Sequence, residues 1–150
     1  MSASPDVRPL ATADRPAWER LYAGYAAFYK ATQTPEMRQT VWSWIMDPSH
    51  PVKALVATGP DGALLGLAHY RPYSRPLSAS TGGFLDDLFV DPAMRGSGAA
   101  DALLAAVAAE GRRRGWTVIR WITAEDNYRA RAVYDRLAER TRWLTYDIKL

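Results

Sequence analysis

A chain of 150 residues with a net charge of +3 is expected to form one domain, residues 1–150, with enough interior for a proper core. Apolar residues make up 48% and charged residues 23%, which excludes a disordered composition. The absence of cysteine excludes a disulfide scaffold, a thiolate nucleophile and a Cys-based zinc site, and no metal is expected.

The start, MSASPDVRPL, has no apolar run that could serve as a signal peptide core, and no stretch approaches the length of a membrane span, so a soluble, cytoplasmic protein is expected. The positive charge is nearly all arginine. The run Arg112-Arg113-Arg114 reads as the solvated last turn of a helix, where cations oppose the dipole. Neither nucleic acid nor membrane is expected as a partner.

In chain order, Trp18, Leu21, Tyr22, Tyr25, Phe28 and Tyr29 recur at helical spacing, with Thr12 or Asp14 as cap and Pro16 in the first turn. A second helix opens at Thr34-Pro35-Glu36, is expected to bury Met37, Val41, Trp44 and Ile45, and stops at Asp47-Pro48. Strands over 52–58 and 63–70 flank the hairpin signal Gly59-Pro60-Asp61-Gly62. A Pro-, Ser- and Gly-rich loop over 72–83 precedes a strand over 84–90. An alanine-rich helix over 99–114 ends at Gly115. A strand over 118–123, apolar enough to be covered on both faces, a helix over 128–138 and a closing strand over 143–150 complete the pattern. The class is α/β with a mixed sheet, in the order β-α-α-β-β-β-α-β-α-β.

The informative stretch is Leu88-Phe89-Val90-Asp91-Pro92-Ala93-Met94-Arg95-Gly96-Ser97-Gly98-Ala99-Ala100. A strand ends, a loop turns, and glycines open a long helix. Gly96 and Gly98 leave backbone amides unobstructed, and Ala99 and Ala100 keep the first turn small. The helix N-terminus then offers orphan donors and partial positive charge, beside the full charge of Arg95. Together these describe a cradle for a pyrophosphate. The near match to G-x-G-x-x-G places Asp101 where close packing wants a small residue. A P-loop fails because no Gly-Lys-Ser/Thr follows.

The run from Arg95 to Ala100 resembles the Arg/Gln-x-x-Gly-x-Gly/Ala signature of the GNAT superfamily of N-acetyltransferases. Asn127, Ala130 and Tyr134 resemble the Asn-x-x-Ala-x-x-x-Tyr pattern of the same family, and the element order is similar nearly end to end. Residues 84–90 and Trp121-Ile122-Thr123 resemble the yeast histone and D-amino-acid acetyltransferase group, and more distantly the spermidine/spermine enzymes. The chain departs from the pattern after Leu137: Ala138-Glu139-Arg140 stands where the family carries Gly-Phe or Gly-Tyr.

The resemblance implies acetyl-CoA as co-substrate, inserted between splayed, central parallel strands over 84–90 and 118–123. Backbone groups of Leu88, Phe89 and Val90 would pair with pantetheine, and one amide would stabilise the oxyanion of a tetrahedral intermediate. It implies Tyr134 as the acid that protonates the departing thiolate, since a phenol with a pKa of roughly 10 stays protonated at neutral pH. Ser97 lacks a histidine partner and is not expected as a nucleophile. Asn127 would either order the strand-to-helix turn or contact the cofactor.

An alkylamine is neutral only about one part in a thousand at pH 7, a handicap of roughly 4 to 5 kcal/mol, so a base is needed. Asp86 and Asp87 are the candidates, pointing to opposite faces unless a bulge intervenes, and His69 is the alternative. Tyr25, Tyr29 and His69 are expected at the acceptor site, a small-molecule amine such as an amino acid or polyamine being the expected acceptor. A protein lysine or N-terminus as acceptor, and a non-catalytic acyl-CoA sensor, are the alternatives. By resemblance, a homodimer is expected.

Overall fold

The computed structural model describes residues 4–150. Its elements are β1 (Asp6–Pro9), α1 (Arg15–Phe28), α2 (Pro35–Met46), β2 (Lys53–Thr58), β3 (Leu64–Arg75), β4 (Ser80–Val90), α3 (Ala99–Arg114), β5 (Ile119–Arg120) and α4 (Tyr128–Leu137). The five strands lie in sequence order, with β1 to β4 antiparallel and β5 parallel to β4.

Helices cover both faces of this sheet, so β2 is buried along nearly its whole length instead of alternating with water. On one face Leu55, Ala57, Leu65, Ala68 and Leu85 meet Leu103, Leu104 and Val107 of α3. On the other, Ala54, Val56, Leu67 and Phe89 meet Trp18, Leu21, Tyr22 and Trp42 of α1 and α2. Trp18 is fully buried and packs tilted against Trp42, with ring centroids 5.2 Å apart.

The helix caps differ in how they work. Thr34 accepts the Met37 amide at 3.2 Å and starts α2. Asp14 occupies the N-cap position of α1 without capping it. Its carboxylate instead takes a bidentate bond from Arg8, at 2.7 and 2.9 Å, and the Ala11 amide at 2.8 Å. This ion pair ties β1 to the start of α1, and Arg8 holds the Asp14 carboxyl below its ordinary range.

Four expectations require correction. The segment over 72–83 is mostly the arm of a hairpin: Pro72 pairs with Gly83, Tyr73 with Gly82, Ser74 with Thr81 and Arg75 with Ser80. The glycines there seat aromatic rings. A Cβ at Gly83 would lie 2.4 Å from the Trp116 ring, and one at Gly82 would lie 2.8 Å from Tyr73. On α2, Trp42 is the buried residue, whereas Met37 and Trp44 are 47% and 41% exposed.

The fifth strand shrinks to two residues, half-buried and at the edge of the sheet. The closing strand is not formed: residues 138–150 carry no regular structure and are exposed throughout. The strand pattern over 143–150 is genuine, but a strand exists only against a partner, and none lies beside it among the described residues.

Candidate active site

Only Gly83 and Phe84 of β4 pair with β5, opposite Ile119 and Arg120. Beyond them the two parallel strands separate, leaving the far edge of β4 open toward Val90. This is the splay that the resemblance implies, although β5 lies at the edge rather than in the centre of the sheet. A cleft of about 510 Å³ opens at this end, lined by Leu88, Phe89, Val90, the turn from Met94 to Asp101, and Asn127, Ala130, Val133 and Tyr134 of the α4 region.

The turn is built for backbone exposure. Gly96 and Gly98 sit at φ +82° and +85°, the left-handed region where a side chain costs roughly 1–2 kcal/mol. Asp91 accepts the Ala93 amide at 2.9 Å and holds the approach. The Ser97 hydroxyl accepts the Ala99 amide at 3.3 Å, and the Ser97 amide itself is spent on Met94. Among the described residues the amides of Gly96, Gly98 and Ala100 find no protein acceptor. They meet the cleft where the α3 dipole is positive. The Arg95 guanidinium is braced over the Phe28 ring at 5.7 Å and lines the same cleft. These features fit a diphosphate.

A second, narrow recess of about 20 Å³ is lined by Tyr25, Tyr29, Leu85, Asp86, Leu88, Trp121, Ile122, Thr123 and Tyr134. Tyr29, Leu88 and Tyr134 line both cavities. The Tyr134 ring stands edge-on to Trp121 at 5.3 Å. Burial, with a smaller push from Tyr29, raises its hydroxyl to a pKa of about 12. Asn127 donates to the Tyr29 hydroxyl at 3.0 Å and to Thr123 Oγ1 at 3.3 Å, tying α1, the segment after β5 and the start of α4 together.

The two aspartates have different surroundings because β4 bulges between them. His69 pairs with Asp87 and Tyr70 with Leu85, so Asp86 is the extra residue. Asp86 turns to the recess, where Arg71 Nε reaches its two oxygens at 3.0 and 3.3 Å. Burial outweighs that arginine and raises the Asp86 carboxyl above its ordinary range.

Asp87 turns inward and lines neither cavity. Burial alone would push its carboxyl up. Donation from His69 Nδ1 at 2.9 Å and from the Tyr22 hydroxyl at 2.8 Å outweighs burial and holds it below its ordinary range.

His69 does not reach the site. It is 1% exposed, and both ring nitrogens are engaged. The Trp18 indole N–H donates to Nε2 at 3.0 Å. An indole can only donate, so Nε2 carries a lone pair and the single ring proton sits on Nδ1, toward Asp87. The expected acceptor contact of His69 is therefore corrected: Trp18, Tyr22 and Asp87 enclose it. Tyr25 and Tyr29 do line the recess. Trp121 lines the recess with Ile122 and Thr123, whereas Arg71, which holds Asp86, and Arg136, which lines the cleft, carried no motif. Arg136 closes a bidentate pair with Asp101 at 3.0 Å beside the cleft.

Residues 18–138 match the model of the acetyltransferase (GNAT) family, which is most of the chain. The chain belongs to the GNAT family. GNAT enzymes use acetyl-CoA, and this one is an acetyl-CoA-dependent N-acetyltransferase.

Among its relatives, the D-amino-acid N-acetyltransferase HPA3 of Saccharomyces cerevisiae is 26% identical over 141 residues, covering 93% of this chain and 88% of that protein. The aminoglycoside N(6')-acetyltransferase type 1 of Klebsiella aerogenes is 29% identical over 120 residues, covering 78% and 77%. The solved ribosomal-protein-alanine N-acetyltransferase of Brucella melitensis superposes with a TM-score of 0.83 at 24% identity, over 98% of this chain and all of that one. This last likeness concerns the GNAT fold. No helix among the described residues is long and apolar enough to cross a membrane.

Proposed function

We propose that residues 1–150 act as one domain that moves the acetyl group of acetyl-CoA directly to the amine of a small molecule, in the cytoplasm and as a homodimer. The observation that carries this reading is the position of Tyr134, which lines both the cleft with the glycine turn and the recess with Asp86.

Acetyl-CoA brings an activated thioester, so the amine needs no covalent enzyme intermediate. Gly96, Gly98 and Ala100 present amides to its diphosphate, and Arg95 adds charge. Ser97 and Ala99 shape that turn. The open edge of β4 at Leu88, Phe89 and Val90 offers backbone donors and acceptors to the pantetheine arm, and one such amide polarises the carbonyl under attack.

Asp86 receives the proton of the incoming ammonium. Its raised carboxyl shifts proton affinity in the direction a base needs, and its charge draws a cation into the recess. Tyr134, kept protonated by burial, donates to the departing sulfur. Asp87 is a positioning residue: with His69 and Tyr22 it fixes the backbone that presents Asp86. Tyr25 and Tyr29 wall the acceptor, and Asn127 holds Tyr29 in place. The names of the yeast and Klebsiella relatives, which specify amino-acid and aminoglycoside amines, support a small-molecule acceptor.

The test is to incubate the protein with acetyl-CoA and a panel of D-amino acids, polyamines and aminoglycosides and to measure free CoA thiol. Release with at least one acceptor is expected. Tight CoA binding with no release from any acceptor would favour the non-catalytic sensor.

A further inference from the structure

A guanidinium beside Asp86 works against the capture of a simple ammonium, because like charges repel across so short a distance. Arg71 Nε nevertheless donates to both Asp86 oxygens, at 3.0 and 3.3 Å. The guanidinium carbon lies 5.0 Å from the centroid of the Phe84 ring. Arg71 and Phe84 are also register partners on β3 and β4, so ring and sheet together fix where this charge stands.

The way Arg71 binds leaves its most selective part open. Arg8 and Arg136 each commit both terminal nitrogens to a bidentate carboxylate. Arg71 holds Asp86 through Nε alone, and among the described residues its two terminal nitrogens find no acceptor. Such a fork matches the two oxygens of a carboxylate. It stands one bonded group away from the acid of the recess.

The size of the recess says which part of a substrate meets this pair. About 20 Å³ is room for little more than one water-sized group. The recess therefore takes the amine nitrogen and leaves the substituents of the adjoining carbon at its mouth, where the Asp86 and Arg71 side chains are 34% and 39% exposed. A diamine or an aminoglycoside brings further positive charge toward the guanidinium. A zwitterion brings the charge that fits, since its carboxylate is attached to the carbon that bears the ammonium.

We propose that Arg71 is a specificity-determining residue that takes the carboxylate of an α-amino acid while Asp86 takes its ammonium. This narrows the small-amine reading above and rests on it. A charge-assisted fork of this kind is worth about 10- to 100-fold in discrimination.

The experiment compares each amino acid with the amine left when its carboxylate is removed: phenylalanine with 2-phenylethylamine, and lysine with cadaverine, using both enantiomers of each acid. Free CoA thiol gives kcat/KM for every acceptor with the full-length protein and with Arg71→Met, which keeps an apolar stem over Phe84. Arg71→Met should lower kcat/KM for the amino acid about 10- to 100-fold more than for its matched amine. The comparison within a pair cancels any effect that Arg71 exerts through Asp86, which both acceptors share. Arg71→Lys keeps the charge without the fork and should fall between, and it carries the reading if Arg71→Met does not fold. Equal losses within each pair, or turnover of the amines and not of the amino acids, overturn the proposal while acetyl transfer to small amines stands. Thiol release from no acceptor counts against the small-amine reading instead. Calorimetric binding of the same pairs to the CoA-saturated protein then decides the role of Arg71, with equal affinity changes on substitution overturning it.

Discussion

Trp18 donates its indole proton to His69 across 51 positions of sequence, at 3.0 Å and out of reach of solvent. That bond dictates the tautomer of the histidine. The tautomer in turn leaves Nδ1–H for Asp87, whose other partner is Tyr22. A chain from α1 through β3 to β4 thus ends one residue from Asp86. Charge on the buried carboxylate is tolerated because donors surround it.

Trp18→Phe should leave His69 Nε2 buried without a donor, as well as removing indole contacts. An unmade buried hydrogen bond costs about 1–3 kcal/mol, so at least this loss is expected in urea unfolding. A change within experimental error would show that the indole bond contributes nothing to the fold.

The two aspartates should separate cleanly. Asp86→Asn is expected to lower kcat/KM for the amine and to abolish a titration on the acid limb of its pH profile, above the ordinary aspartate value near 4. Asp87→Asn should act mainly on stability. Its folded-state carboxyl is depressed, so its contribution is present above the unfolded value near 4 and fades as pH falls through the lower folded one. Unfolding measured from pH 6 downward should lose part of its acid-side slope in Asp87→Asn, whereas Asp86→Asn, which removes a carboxyl raised in the folded state, should steepen that slope.

Tyr134→Phe removes the hydroxyl and little volume. General acid catalysis is worth about 10²–10⁴ in rate, so turnover should fall in that range while calorimetric affinity for CoA holds. An undiminished rate would take the acid role away from this residue.

At Gly96 an added Cβ meets no protein atom within 4 Å, yet φ is +82°. Gly96→Ala should therefore cost the fold only about 1–2 kcal/mol of backbone strain and weaken CoA binding by disturbing the turn. Gly83→Ala is the converse case. It drives a methyl to 2.4 Å from Trp116 where β4 and β5 pair. A loss of about 1–3 kcal/mol is expected from overpacking, measurable as a lowered Tm without any ligand.

The glycine turn, the span of α3 from Ala99 to Arg114, the start of α2 at Thr34-Pro35 and the hairpin at Gly59 were legible along the chain. Each depends on neighbours within a few residues: a backbone angle only glycine takes comfortably, a hydroxyl three positions from an amide, an apolar face at helical spacing. Contacts between distant segments left no such trace. The inward turn of Asp87 follows from a bulge opposite His69, the seat of the Trp116 ring on Gly83 from strands that meet only in the folded sheet, and the shielding of His69 from a tryptophan on another element. Residues 143–150 carry the alternation of a strand and still form none, because alternation selects a face while backbone hydrogen bonds must come from a neighbouring strand.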